Sequence, residues 1–458
     1  MDEAFIPLTN RDLGGWKTCS FIIGVMVGVG MVVTGVSYNL EVYLIQAYHV
    51  GRIDATQINT VVSGCISLAP VVGGVIADCF LGCSTVFAAS SASCFLGMLV
   101  FTLTATLPCL RPVPCSPLAT CHPASVAQLT VLFVAIALLA AGVGGTRYNG
   151  MTMGASQFAN PADRAAFFNY SFVARFLSSI AGAILLVYAQ DSLGWLSGFA
   201  LSAVVAGIAF LFPLLLLGRP SLLLHPRPKT GQLTSFRGEA GSLLALLSVV
   251  STGILPSANI SIQTSMTVLQ ALAMDRSLGR ETLIRVPAGS INVFVLATAA
   301  ISIMVLDRAA KAVRPMRRMG IGYLINAAAM AAMAATESRR LAAGDAAPVM
   351  WLAPALVFVG IGEAWHYPGG VAFYYQEFPV GLRSTATGTM AVVTGVGFYL
   401  SSGIVAAVRK ETGWLKDNLN ESRLDKLYGM MAVIGMANFV YFLVCACIYE
   451  KRKSRLVS

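Results

Sequence analysis

This sequence is poor in charge. Only 11% of its 458 residues are Asp, Glu, Lys or Arg, against about 25% in a soluble globular domain. With 56% hydrophobic residues, that balance excludes an ordinary water-soluble globule and selects an integral membrane protein. Histidine is scarce as well, with four in the chain, and the ten cysteines show no metal-ligand spacing. No cluster of His, Asp and Glu with ligand spacing appears, so neither a metal nor a cofactor is expected, and the chain is not read as an enzyme. A repeated filter-like loop is also missing, which weighs against a channel. The start, MDEAFIPLTNRDLGG, is acidic and leads into an apolar run long enough to span and stay, so no cleaved signal peptide is expected.

What is present is a succession of apolar runs. A bilayer core of about 30 Å needs about 20 apolar residues per helix. Twelve windows satisfy that ruler: 19–46, 56–76, 82–107, 126–152, 165–189, 195–217, 240–273, 287–307, 319–337, 350–376, 384–408 and 427–449. The first, seventh and tenth exceed one bilayer thickness and should tilt or protrude into water as helix. Lys and Arg outnumber Asp and Glu 31 to 21. The excess collects at the termini and in alternate loops, as in Arg219, Arg227, Lys229 and Arg237, in Arg308, Lys311, Arg314, Arg317 and Arg318, and in Lys451 to Arg455. That bias places both termini in the cytosol and points to anionic lipid, not nucleic acid, as the partner of the positive charge. The expected organisation is a tail at 1–18, a six-helix lobe at 19–217, a Pro-, Gly- and Arg-rich linker at 218–239, a second six-helix lobe at 240–449, and a basic tail at 450–458. Two such halves describe a two-lobed secondary transporter with its substrate site between the lobes at mid-membrane. Cys109, Cys115 and Cys121 share the loop CLRPVPCSPLATC, where a disulfide would form if the loop is extracellular.

An ionisable group at membrane depth costs about 2.5–3.5 kcal/mol on insertion scales, so each one is a functional candidate. Arg147, in LLAAGVGGTRYNGMTMGASQF, offers an anion a permanent positive charge beside glycines 142, 144 and 145, which admit a close approach of helix or substrate. The alternative is that it pairs with an acid or snorkels to a headgroup. Arg175, in FFNYSFVARFLSS, is read either as a structural bridge to Glu363 or Glu41 or as a residue of the inner mouth. Glu41, in YNLEVYLIQAY, reaches interfacial water or acts as a protonatable carboxylate near the outer end of span 1. Glu363 and His366, three apart in GIGEAWHYPGGVAFYYQEFP, share a helix face. Glu363 carries a proton if membrane burial keeps it unpaired and stays ionised if an arginine meets it; His366 titrates or packs as an aromatic-sized residue. Pro368, Gly369 and Gly370 predict a bend or unwinding just beyond that pair. Asn259, Gln263 and Gln270 form a polar stripe along span 7, suiting either a cavity wall or interhelical hydrogen bonds.

Together these motifs resemble the plant branch of the proton-coupled oligopeptide transporter family, the peptide and nitrate transporters of the major facilitator superfamily. The resemblance rests on GGVIADCFLG, with Asp78 and Gly82, between spans 2 and 3; GVGGTRYNGMTMGASQF and FFNYSF in spans 4 and 5; LQALAMDR followed by VPAGS; and GIGEAWHYPGGVAFYYQEFP followed by GLRSTATG. It covers about residues 15 to 450. The fold it implies is twelve transmembrane helices in two six-helix lobes, all α. Relatives typically carry a Glu-x-x-Glu-Arg pattern in span 1, and the matching positions here are Met26, Val29 and Gly30, within the uncharged FIIGVMVGVGMVV. Arg147 stands where many peptide carriers have lysine, and the central linker is much shorter than usual. The pattern is most similar to the nitrate-excretion-type subgroup. The resemblance therefore implies transport of a small anion, nitrate foremost and chloride as a further candidate, by alternating access. Arg147, Gln263, Asn259, Tyr148 and Tyr374 would serve the substrate, and Glu363, Glu41 and His366 any proton coupling. Asp78, Gly82, Arg175, Pro368 and Gly369 would act in structure or gating. Efflux across the plasma membrane is the expectation, a monomer sufficing for it, and the vacuolar membrane is the alternative. The rival functions are proton-coupled transport of a larger organic anion or a peptide, and a non-transporting receptor or degenerate copy.

Overall fold

The computed structural model describes residues 14–113, 123–155, 157–158, 160–217, 240–277, 285–309, 313–344, 347–377, 383–416 and 418–457. For several helical residues in these ranges, Asp78, Tyr148 and Arg164 among them, the description is of the backbone alone. The helices are α1 (Gly15–Ala47), α2 (Arg52–Ile76), α3 (Cys83–Thr106), α4 (Val126–Ala155), α5 (Pro161–Ala181), α6 (Val187–Ser192), α7 (Trp195–Leu217), α8 (Ala240–Ser251), α9 (Ile254–Leu272), α10 (Val293–Ala309), α11 (Pro315–Ala343), α12 (Ala353–Glu377), α13 (Arg383–Thr412) and α14 (Leu424–Val457). A π turn at Gly182–Leu186 joins α5 to α6, and α8 runs on into α9, so twelve stretches among the described residues are long and apolar enough to cross a membrane. The chain is an all-α, multi-pass membrane protein.

The outward faces follow from the solvent being lipid. On α7 the residues Leu201, Val204, Ile208, Leu211 and Leu215 recur every three or four positions and are exposed, while Phe199, Ser202, Ala203, Ala206 and Ala209 are buried. The polar atoms turn inward because no water is available in the hydrocarbon to satisfy them.

Contacts divide the chain into two compact units. The first comprises Met1–Val36, Ala69–Arg111 and Ser125–Thr230, and the second Ser37–Leu68, Pro112–Ala124 and Gly231–Ser458. In the first, helix backbones approach closely wherever glycine faces a neighbour. A methyl group on Gly73 of α2 would collide with the Gly144 carbonyl oxygen of α4, so no larger residue fits that crossing. In the second, the end of α1 and the first half of α2 pack with the C-terminal helices. Ile53 belongs to the same apolar cluster as Met266 and Leu269 of α9, Met330 and Met333 of α11, Val405 of α13, and Leu427, Tyr428 and Met431 of α14. The turn leading into α2 passes through His49, whose φ of 56° ends α1, and the Val50 amide donates back to the Leu44 carbonyl at 3.1 Å.

Two expectations from sequence change. The window at 240–273 is two helices, broken at Thr252–Gly253. Pro256 has no N–H to donate to the Thr252 carbonyl four residues back, and the Asn438 amide of α14 donates there instead at 2.9 Å. Conversely, α12 stays helical through Pro368, Gly369 and Gly370 to Glu377, so the unwinding expected beyond Glu363 and His366 does not occur. Tight packing keeps it wound: a methyl on Gly369 would stand 3.0 Å from Arg318 Cβ of α11.

Candidate functional site

Arg147 lies eight residues before the end of α4, about 12 Å along the helix axis, and is partly buried. The glycines around it serve helix packing. Gly142 abuts Cys94 and Gly145 abuts Ser90, both on α3, while Gly144 abuts the Ala69 carbonyl of α2. Thr146 donates to the Gly142 carbonyl at 2.7 Å and Asn149 to the Gly73 carbonyl at 3.3 Å. Arg147 is thus held on a helix locked on two sides. Arg175, in the same unit, is partly buried on α5, with the Ser178 hydroxyl donating to its carbonyl at 2.7 Å. Gly82 adopts φ 77°, ψ 151°, a region reserved for glycine, and its N–H caps the π turn Ala77–Leu81 by donating to the Ala77 carbonyl. The side chains of Asp78 and Tyr148 lie outside the described residues.

The second unit holds the remaining candidates, and their environments differ. Gln263 is fully buried on α9, and neither amide atom finds a hydrogen-bond partner among the described residues. Asn259, one turn earlier, leaves its Oδ1 unmet and sits where Gly435 of α14 and Ala327 of α11 approach each other. A polar amide left unmet in the interior costs about 1–3 kcal/mol, so these two are the groups of α9 available to a ligand or to water. Gln270, the third member of the stripe, is committed: its amide donates to Glu337 Oε2 at 2.6 Å and its oxygen accepts from the Tyr428 hydroxyl at 3.1 Å.

His366 is buried, with its ring centroid 5.2 Å from that of Tyr323 on α11 and its backbone against Gly322. Neither ring nitrogen has a partner among the described residues, which suits the packing reading better than the titrating one. Tyr374 is likewise enclosed in an apolar cluster with Met319, Tyr323, Phe373, Met390 and Phe442. Glu363 is partly buried at the middle of α12. Glu41, near the end of α1, is fully buried and does not reach interfacial water in this conformation. Its Oε1 lies 2.6 Å from the Thr56 hydroxyl oxygen, and its Oε2 has no hydrogen-bond partner among the described residues.

Sequence reasoning missed the pair Glu337–Arg340 and the amide Asn326. Arg340 donates from Nε and Nη2 to both carboxylate oxygens of Glu337, from Nη1 to Asn420 Oδ1 at 2.8 Å, and from Nη2 to the Leu419 carbonyl at 3.3 Å. Asn326, buried on α11 with neither amide atom hydrogen-bonded among the described residues, lies against Gly362 of α12. The signal for Asn326 was its type and depth, a lone amide in the ninth apolar run. Cys109 is an exposed free thiol; Cys115 and Cys121 lie outside the described residues. No group of three or more His, Cys, Asp or Glu able to hold a metal occurs among the described residues.

A model of the POT family matches residues 84–221 and 229–418. Over 531 aligned positions the chain is 34% identical to Protein NRT1/ PTR FAMILY 2.7 of Arabidopsis thaliana, with 97% of this chain and 94% of that protein covered. Protein NRT1/ PTR FAMILY 2.5 of the same plant is 33% identical, with 96% and 93% covered. The first alignment is longer than the 458 residues of the chain, so this relative carries insertions absent here. Among solved structures, the backbone superposes on a peptide transporter POT in complex with sulfate with a TM-score of 0.74 at 14% identity, covering 95% of this chain and 94% of that one. A POT family transporter in complex with 5-aminolevulinic acid gives 0.76 at 15% identity, covering 97% and 99%. At such identities the likeness concerns the fold, which is that of the major facilitator superfamily.

Proposed function

The chain belongs to the POT family of membrane transporters, and from that premise we propose that it carries a small monovalent anion, nitrate foremost, by alternating access. The observation that carries this reading is a contrast in charge. Before Glu41, the only charged side chain of α1 is Lys17, whereas α4 presents the partly buried guanidinium of Arg147. A peptide brings an ammonium as well as a carboxylate into its site and asks for a carboxylate partner; nitrate asks only for cations and hydrogen-bond donors. In this proposal Arg147 supplies the attraction and the unmet amide of Gln263 a hydrogen bond, with Asn259 and Tyr148 as further polar contacts. Sulfate in one solved relative of the fold is in keeping with an anion.

An inside-negative potential drives an uncoupled anion outward by about 2.3 kcal/mol per 100 mV, so efflux needs no further energy source. Glu363 and Glu41 are the proton-coupling residues if transport is coupled. We place both termini in the cytosol on the distribution of basic residues, and the protein in the plasma membrane on its resemblance to the plant branch of the family, the vacuolar membrane being the alternative.

A second reading is favoured by the structural relatives, one of which holds 5-aminolevulinic acid: an organic substrate with its own carboxylate would meet the same arginine. The deciding experiment is uptake and release of labelled nitrate in a heterologous cell at two external pH values, with organic anions and dipeptides as competitors. Nitrate flux above the background of untransfected cells supports the proposal. Flux of an organic solute alone, with the protein at the surface, replaces it by the second reading, and no flux of any solute leaves a non-transporting protein.

A further inference from the structure

Glu41 occupies a position that its sequence neighbours do not explain. Ile53, Thr56 and Thr60 are spaced three and four apart and form one face of α2. Ile53 enters the apolar cluster of α9, α11, α13 and α14, and the Thr60 hydroxyl lies 3.0 Å from that of Ser265 on α9. At the rim Asp54 pairs with Arg409 of α13. Thr56, between them, meets Glu41. The carboxyl group therefore lies inside the seam by which the start of α2 is seated on the C-terminal helices.

Its hydrogen bonds can be counted. The Thr56 oxygen stands 2.6 Å from Glu41 Oε1 and 3.0 Å from the Arg52 carbonyl. A hydroxyl has one proton and cannot donate to both. With the carboxyl protonated, Glu41 donates to Thr56 and Thr56 donates to Arg52, so both contacts are satisfied. With it ionised, one contact lapses, and a buried charge is left with its second oxygen unmet. No ion pair involving Glu41 occurs among the described residues.

The other charged and titratable groups at this end are accounted for. On α2, Asp54 is paired with Arg409 of α13, and Arg52 lies in the first turn. The α9 helix carries no ionisable side chain. On α11, Arg340 is committed to Glu337, Asn420 and the Leu419 carbonyl. On α14, Arg423 just before the helix pairs with Asp425, and Tyr428, within electrostatic reach of Glu41, donates to Gln270. Tyr43 of α1 and Tyr48 just beyond its end meet edge to face, 5.5 Å between centroids, and His49 follows in the turn.

We propose that Glu41 is a proton-binding site that is occupied while α2 is seated on the C-terminal helices, and that loss of this proton unseats α2 and opens that end of the second unit. The inference rests on the reading of the chain as an alternating-access carrier and does not depend on its substrate. Such a carboxyl takes up its proton from the compartment to which the α1–α2 turn is exposed.

The test uses the full-length protein in lipid vesicles without substrate. Thr60→Cys places a thiol in the seam, and a membrane-impermeant thiol reagent added on the side of the α1–α2 turn reports opening, with the labelled peptide identified by mass spectrometry. Labelling of the introduced thiol should rise several-fold from acidic to alkaline pH, and in the Glu41→Gln background it should stay low at both. Infrared spectra supply a second readout: the carbonyl stretch of a protonated carboxylic acid should be weaker in Glu41→Gln than in the parent at neutral pH. Labelling that ignores pH, labelling that keeps its pH response in Glu41→Gln, or an unchanged infrared band would each overturn the proposal. Absence of nitrate flux alongside the expected labelling would count against the substrate reading and leave this one standing.

Discussion

Arg340 grips the carboxylate of Glu337, three residues earlier on α11, at 2.8 Å and 2.9 Å, with neither side chain exposed. Burying two charges is expensive, and this pair is held by the hydrogen bonds that surround it: Gln270 on one carboxylate oxygen, Asn420 and the Leu419 carbonyl on the guanidinium. Removing either partner strands the other. Arg340→Ala or Glu337→Gln should cost about 3–5 kcal/mol, seen as a large fall in the melting temperature of the purified protein. Replacing both with Met and Leu should recover much of the loss, because the desolvation of both charges disappears with them. A double mutant as unstable as the singles would show that the pair acts otherwise than by mutual neutralisation.

That pair also shows what hydropathy can and cannot deliver. The twelve spans were legible because lipid demands a run of apolar residues of fixed length. The ninth window stopped at residue 337 because the charges begin there, while the helix continues to Ala343. Two charges that neutralise each other inside the protein look, in sequence, like a helix emerging into water. Glu41 was legible as a candidate because it stands alone in an apolar run, but the sequence left it between interfacial water and a protonatable role. Its partner Thr56 is fifteen residues away across a turn, and only the packing of α2 reveals that contact. Gln270 could not be told from Gln263 for the same reason: seven residues apart on one helix, they differ only in what stands opposite.

The break between α8 and α9 predicts a compensation. Asn438 serves the carbonyl that Pro256 leaves unmet, so Asn438→Ala should cost about 1–3 kcal/mol. Pro256→Ala restores an N–H that can reach the Thr252 carbonyl, and the double substitution should therefore be more stable than Asn438→Ala alone. Thermal unfolding of the three variants decides it. Additive losses would mean that the break is set by Gly253 and not by the missing donor.

Where α11 crosses α12, Gly322 faces His366, and a methyl on Gly322 would stand 2.6 Å from the His366 backbone nitrogen. Gly322→Ala should cost about 1–3 kcal/mol by overpacking. His366→Phe keeps the ring against Tyr323 and removes both unmet nitrogens, so it should fold and leave the pH profile of flux unchanged. A shifted profile in that variant would return His366 to the proton-coupling residues.

Arg147 decides the substrate reading. Hydrogen bonds to a charged group are worth about 1.5–3 kcal/mol, and each 1.4 kcal/mol is about tenfold in affinity. Arg147→Ala should therefore weaken anion transport by roughly tenfold to a hundredfold while the protein still reaches the membrane. Arg147→Lys keeps the charge and loses the planar fork, so it should retain part of the flux with a raised KM. Because the neighbouring glycines are occupied by helix packing, a structural arginine would show itself differently: both variants would lower the melting temperature, and the flux per folded molecule would stay the same. Measuring flux and stability on the same preparations separates the two. If anion flux per folded protein survives in Arg147→Ala, the attraction for the anion comes from elsewhere in the chain, and the amide of Gln263 becomes the next residue to replace.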